Sequence, residues 1–265
     1  VFEGQTVSKS FDADVELEFQ KSQLLWNLGR EFNFRYPEPL RFDPKAGRIQ
    51  FERINNSRSI RLDYIRFMTA PDGEEDVRLV FERAGRILGI IHRELCLSNK
   101  HQWKPSEKFT AAAVKAGCSD FDAMVGTLPH AFLHGDYGLE NIELVGSPDG
   151  FQLVVFDASP NYFVTFHANS FGPVYVDIGS FLSVLYGLIS LKYYPLFKWN
   201  RVATLQSAFL DGYSQTSGID CNLEIATIFS YASASSYLQK KYKRSFMHDI
   251  AMWLLFNRLK GLKLQ

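Results

Sequence analysis

The residues best suited to chemistry lie in one short stretch, Leu133-His134-Gly135-Asp136-Tyr137-Gly138-Leu139-Glu140-Asn141, with Asp157 following an apolar run at 151–156. Ser147-Pro148-Asp149-Gly150 is a turn signal between two short apolar segments, 142–145 and 151–156. With the hairpin centred near Asp149, Asn141 lies eight residues before the centre and Asp157 eight after it. A regular hairpin then sets the two side by side at its open end. Both offer oxygen donors of the kind Mg²⁺ prefers. Asp136, one loop earlier, is a carboxylate placed to take or orient the proton of an attacking hydroxyl. Asp136 and Asn141 are also ordinary loop residues, and it is their spacing to Asp157 that favours catalysis. His134 reads better as a buried brace than as a proton carrier.

The elements around this stretch divide into two parts. Gln5–Phe11 has extended character, and 12–28 carries helical spacing, with Phe19, Leu24, Leu25 and Leu28 on one face and Asp12 or Asp14 as its cap. Pro37 and Pro39 stop helix formation. Two strands, 40–42 and 48–54, flank the turn Pro44-Lys45-Ala46-Gly47. Asn55-Asn56-Ser57 is a polar connector. Beyond it, 76–95 is an amphipathic helix whose apolar face holds Val80, Ala84, Ile87, Leu88 and Ile91. Pro105 and Ser106 break the chain, 121–128 is helical, and everything from Asp177 onward is helical with breaks at Pro195 and Gly218. The expected architecture is α+β, with a small strand-rich N-terminal lobe over 1–55 and a large helical C-terminal lobe over 56–265.

His134-x-Asp136-x4-Asn141, a hairpin and then Asp157 resembles the catalytic and metal loops of the aminoglycoside phosphotransferase and choline kinase-like family, which has a bilobal protein-kinase-like fold. The resemblance implies that Asp136 is the catalytic base and that Asn141 and Asp157 hold Mg²⁺. It continues along the chain. Thr6-Val7-Ser8-Lys9-Ser10-Phe11 is similar to the strand bearing the ATP-phosphate lysine, which would be Lys9. The next helix then supplies a carboxylate to steady it, Glu18 or, second, Glu16. Phe51-Glu52-Arg53-Ile54 resembles the hinge that meets adenine. Leu88-Gly89-Ile90-Ile91-His92 looks like the family's helix ending in histidine. Gly172-Pro173-Val174-Tyr175-Val176-Asp177 resembles the segment whose last aspartate braces the catalytic loop; capping of a helix beginning at Ile178 is an equal reading of Asp177. Phe209-Leu210-Asp211-Gly212-Tyr213 fits a helix common in the family's C-terminal lobe.

What the resemblance implies is an ATP- and Mg²⁺-dependent kinase acting on a hydroxyl of a small molecule or glycan. The sequence also departs from the pattern. Ala158-Ser159-Pro160 follows Asp157 where the family has an aromatic residue and an acid, the stretch 161–171 is long, and no glycine-rich loop precedes Lys9. The first residue is Val1 rather than Met, so the N-terminal lobe is expected to be incomplete at its start. These departures motivate the alternative of a catalytically impaired pseudokinase that binds nucleotide or another ligand. A metal-dependent phosphohydrolase is a weaker third reading, because it needs further His or Asp ligands. Tyr162, Phe163, Phe166, Phe171 and Tyr175 are candidates either for stacking on a sugar face or for the core.

Composition limits the partners. Lys and Arg number 29 against 29 Asp and Glu, which gives no basis for nucleic-acid binding. The three cysteines, Cys96, Cys118 and Cys221, are scattered and form no pair motif, as expected of a cytoplasmic protein. The longest apolar run, 181–191, is too short to span a bilayer. The basic run Lys240-Lys241-Tyr242-Lys243-Arg244 before the apolar segment 250–259 reads as a solvated cluster beside a packed helix, ahead of a peripheral membrane contact.

Overall fold

The computed structural model describes residues 6–11, 14–69, 74–147, 150–158, 167–183, 185, 198 and 201–242. The N-terminal part is a three-stranded antiparallel sheet with one helix against it. Its strands are β1 (Thr6–Ser10), β2 (Pro39–Asp43) and β3 (Arg48–Glu52), in the order β1-β3-β2. The β2–β3 turn forms because the Asp43 carboxylate accepts from the Lys45 and Ala46 amides at 3.0 and 3.1 Å. Gly47 closes that turn at a φ of +59°, a backbone conformation that glycine adopts without strain. Helix α1 (Val15–Phe32) runs one turn beyond the apolar face expected from the sequence. Asn33, in the left-handed conformation, ends it before either proline is reached, and its amide donates to the Gly29 carbonyl. Asp14 occupies the N-cap position but makes no side-chain cap; Asp12 lies outside the described residues.

The chain then crosses to the second part. The Arg35 amide donates to the Leu153 carbonyl, and the Val155 amide donates to the Arg35 carbonyl, both at 2.9 Å. The end of α1 is thereby stitched to a second sheet, made of β4 (Ser57–Ser59), β7 (Ile142–Ser147) and β8 (Gly150–Val155) in the order β4-β7-β8. A small third sheet joins β5 (His101–Gln102), β9 (Ser170–Pro173) and β6 (His130–Phe132). The remainder is helical: α2 (Ile60–Thr69), α3 (Glu74–Glu94), α4 (Glu107–Lys115), α5 (Phe121–Thr127), α6 (Tyr175–Ser183), α7 (Arg201–Ser217) and α8 (Leu223–Tyr242).

Helices α2 and α4, strand β4 and the third sheet lie beyond what the sequence reading anticipated. Ser106 does not merely interrupt the chain; it caps α4 by accepting from the Phe109 amide at 3.2 Å. Residue Ser57, read as connector, begins β4. Pro195 and the apolar segment from Ile250 lie outside the described residues, as do the side chains of the basic run from Lys240. No described helix is long and apolar enough to cross a membrane.

The helical part is held by α3 against α7. Gly85 lies so close to the α7 backbone that an added Cβ would sit 1.9 Å from the Phe209 carbonyl oxygen, and one on Gly212 would sit 2.0 Å from that of Glu82. Aromatic rings fill the adjoining layers, with Phe181 stacked on Phe209 at 4.0 Å. The α3–α7 crossing also aims His92, near the end of α3, at α6, and this alignment positions the site. Gly212→Ala must force these helices apart at a backbone contact. It is expected to cost about 2 kcal/mol or more, read as a lower urea midpoint; an unchanged midpoint would show that the crossing has slack.

Candidate active site

The catalytic-loop candidate follows β6 and is clamped at its backbone from two directions. From α6, Asp177 accepts from the His134 amide at 2.6 Å and from the Gly135 amide at 2.9 Å. From α1, Lys21 donates from Nζ to the His134 carbonyl at 2.7 Å. Gly135 turns here at a φ of +99°, which a side chain would strain. Asp177 is itself held by His92 Nε2 at 3.0 Å, and His92 Nδ1 meets the Tyr213 hydroxyl at 2.9 Å. Asp177 is the third residue of α6, so it does not cap that helix; of its two readings the geometry realises the brace. Burial pushes the Asp177 carboxyl upward, but the His92 hydrogen bond and charge and the Gly135 amide outweigh it and hold the carboxyl below its usual range.

His134 is fully buried, and burial first of all depresses its imidazole to about 3, so it is neutral at physiological pH. Its Nδ1 accepts from the Asp136 amide at 3.4 Å, which places the ring proton on Nε2. These features suit a brace for the loop. Tyr137 anchors the far side, donating from its hydroxyl to the Ala84 carbonyl at 2.7 Å.

Asn141 closes a short 3₁₀ turn at 139–141 and donates from Nδ2 to Asp136 twice, to the carbonyl at 2.8 Å and to Oδ2 at 3.0 Å. With Nδ2 committed, Oδ1 is the side-chain atom left to face a cation. The hairpin register differs from the symmetric one expected. Ser147 pairs with Gly150 and Ile142 with Val155, so the turn centre falls between 148 and 149, both outside the described residues. Asn141 therefore lies opposite Phe156, whose amide donates to its carbonyl at 2.8 Å, and Asp157 falls one position further on. Strand alternation alone would send Asp157 to the opposite face. Its φ of +53° breaks the alternation, and its carboxylate forms an ion pair with Lys9.

Lys9, on β1, and Asp157 line one cleft of about 400 Å³ together with Phe51, Glu52, Arg53 and Ile54. The four residues expected at a hinge thus share a cavity with the lysine and aspartate expected at the phosphates. Asp136, Asn141 and Glu18 are not part of the lining. They adjoin it through Phe156 and through the field that Asp136 and Glu18 exert on Lys9. Burial lowers the Lys9 ammonium, against the pull of those two carboxylates. Of the two candidate partners on α1, Glu18 is buried and Glu16 is exposed.

Sequence reasoning missed Lys21, which is 1% exposed. A signal was present: positions 21, 25 and 28 follow the helical period of the buried face. Asn141 Oδ1 and the carboxylates of Asp157 and Asp136 are hard oxygen donors of the kind Mg²⁺ takes, while no cluster of three or more His, Cys, Asp or Glu placed to hold a metal occurs among the described residues.

Glu18 and Lys21 are one turn apart and compensate each other. Burial raises the Glu18 carboxyl from 4.5 to about 7, against Lys21 and Lys9, and burial lowers Lys21 to about 8. A raised carboxyl contributes stability that is complete below its unfolded value and is lost as pH rises through the folded one. The stability of wild type relative to Glu18→Gln should therefore fall between pH 4.5 and 7, while Lys21 stays charged. The full change is on the order of 3 kcal/mol, measured by denaturant titration across that range. A difference that does not vary with pH would contradict this electrostatic picture.

No protein-family profile and no curated protein matches this sequence. Solved structures do. A glucosamine kinase in complex with glucosamine, ADP and inorganic phosphate is 15% identical with a TM-score of 0.56, over 81% of this chain and 63% of that one. This chain thus spans less than two thirds of that protein. The choline kinase LicA from Streptococcus pneumoniae is 15% identical with a TM-score of 0.53, over 100% of this chain and 89% of that one. An aminoglycoside phosphotransferase from Streptomyces rimosus in complex with ADP and streptomycin is 13% identical with a TM-score of 0.52, over 87% and 86%. The chain has the α+β, protein-kinase-like fold of the aminoglycoside phosphotransferase, choline kinase and glucosamine kinase structures, with an N-terminal antiparallel sheet followed by a mainly helical part.

Proposed function

We propose that this chain is an ATP-dependent phosphotransferase that moves the γ-phosphoryl group to a hydroxyl of a small molecule or glycan. The carrying observation is that Lys9 and Asp157, from separate segments, pair within a cleft that 51–54 also line, while Asn141 holds Asp136 in the loop beside it. In this reading the lobes divide between residues 55 and 56. Glucosamine, choline and streptomycin appear in the names of the similar structures, and a small hydroxyl-bearing acceptor is inferred from that company.

In this reading adenine lies against 51–54, and Lys9 leaves Asp157 to hold the phosphates, with Glu18 steadying its charge. Asn141 Oδ1 and the Asp157 carboxylate hold Mg²⁺, which when bound neutralises charge on the phosphoryl oxygens. Asp136, fixed by the Asn141 amide, orients the acceptor hydroxyl. The acceptor oxygen forms the new bond to phosphorus as the bond to ADP breaks, and its proton passes to the Asp136 carboxylate. Clamping by Asp177 and Lys21 keeps the Asp136 backbone in place for that transfer, so the residues act mainly by positioning. His134 supports the loop without carrying the proton.

The test is ATP turnover with Mg²⁺ against a panel of amino sugars, amino alcohols and glycans, run beside Asp136→Asn. Transfer to one acceptor is expected, with kcat lowered at least about a hundredfold in the variant and nucleotide binding retained. Wild type that binds nucleotide but phosphorylates nothing would point to a binding module. Failure to bind nucleotide would overturn the reading.

A further inference from the structure

We infer that Glu143 reads the ribose of the bound nucleotide by accepting hydrogen bonds from its two hydroxyls; the inference rests on the nucleotide-cleft reading above. Among the described residues, four carboxylates line the cleft, those of Glu52, Glu140, Glu143 and Asp157. Three are committed: Glu52 to Arg35, Glu140 to Arg61 and Asp157 to Lys9. Glu143 makes no ion pair or side-chain hydrogen bond with any described residue. The described lining is mixed, with apolar Phe51, Ile54 and Phe156 beside Arg53 and Ser57. Glu143 is half-buried, and a carboxylate there gains from a ligand that supplies hydrogen-bond donors.

Its place on the strand says which part of a nucleotide meets it. On β7, Ile142 is fully buried and Glu143 is half-buried on the other face, while Asn141 ends the 3₁₀ turn just before the strand. Glu143 pairs with Ser59 of β4 and with Val154 of β8, so it stands on the central strand, beside the segment that leaves the hinge. Glu143 lies two residues beyond Asn141, a reach of at most about 7 Å. If the phosphates lie at Asn141, Asp157 and Lys9, one ester linkage and a sugar ring bring the ribose hydroxyls to that position. In the cleft reading the base continues past the ribose toward 51–54. A carboxylate can only accept, and a vicinal diol presents two adjacent donors to its two oxygens. Such charge-assisted bonds are stronger than neutral ones, and a site built for a hydroxyl rejects the analogue lacking it.

Calorimetric titration with Mg²⁺ and ADP, 2′-deoxy-ADP or GDP tests this without knowledge of the acceptor. Wild type is expected to bind ADP about tenfold more tightly than 2′-deoxy-ADP. Glu143→Leu should bring that ratio close to one, and Glu143→Gln, which keeps an acceptor oxygen, should leave it between the two. The wild-type comparison needs no variant to fold. Equal binding of ADP and 2′-deoxy-ADP by wild type, or a preference that survives in both variants, would overturn the inference while leaving the cleft reading intact. So would a loss confined to GDP in Glu143→Leu, which would assign the carboxylate to the base. Failure of all three nucleotides to bind wild type would overturn the cleft reading and this inference with it.

Discussion

The site depends on how a short loop's backbone is held. The peptide groups around His134 and Gly135 are buried, and unpaired polar groups there would each cost free energy on the order of a hydrogen bond. Asp177 satisfies two amides and Lys21 satisfies one carbonyl, from helices that belong to opposite parts of the chain. Both side chains are themselves buried, and each has compensation: the His92 hydrogen bond for Asp177, and the His134 carbonyl with the field of Glu18 for Lys21. The loop geometry, the helix packing and the charge balance of the interior are therefore one arrangement. Shifting α1 or α6 moves the loop that carries Asp136.

The same clamp links the two parts of the fold. Helix α1 carries Glu18, which acts on Lys9 in the cleft, and Lys21, which holds the loop. Its end is stitched to β8 through Arg35. The cleft lining and the catalytic loop thus share a single supporting helix. The Lys9–Asp157 ion pair spans the cleft that a nucleotide's phosphates would enter, and both of its side chains are about one-third exposed.

Much of this was legible in the sequence, because the informative residues break a pattern. Asp136, Asn141 and Asp157 are polar residues at the edges of apolar strands around a strong turn, and His92 ends a clear amphipathic helix. The register was not legible, since one residue in the length of the turn decides which partner Asn141 meets, and the left-handed backbone at Asp157 leaves no mark in the sequence. Lys21 was missed because a lysine on a helix reads as solvated unless its place on the buried face is counted. Tyr175 was ambiguous between ligand and core. Its hydroxyl accepts from the Asn222 amide at 2.7 Å and its ring is buried, which places it in the core, while Tyr162, Phe163 and Phe166 lie outside the described residues. Short helices such as α2 and α4 owe their existence to tertiary packing and caps more than to periodicity.

The most direct measurement is a crystal structure with Mn²⁺ and a non-hydrolysable ATP analogue, with the metal located by its anomalous scattering. The account predicts the metal on Asn141 Oδ1 and the Asp157 carboxylate, Lys9 turned from Asp157 to the phosphates, and the base against residues 51–54. A nucleotide bound elsewhere, or a metal that touches neither Asn141 nor Asp157, would contradict it.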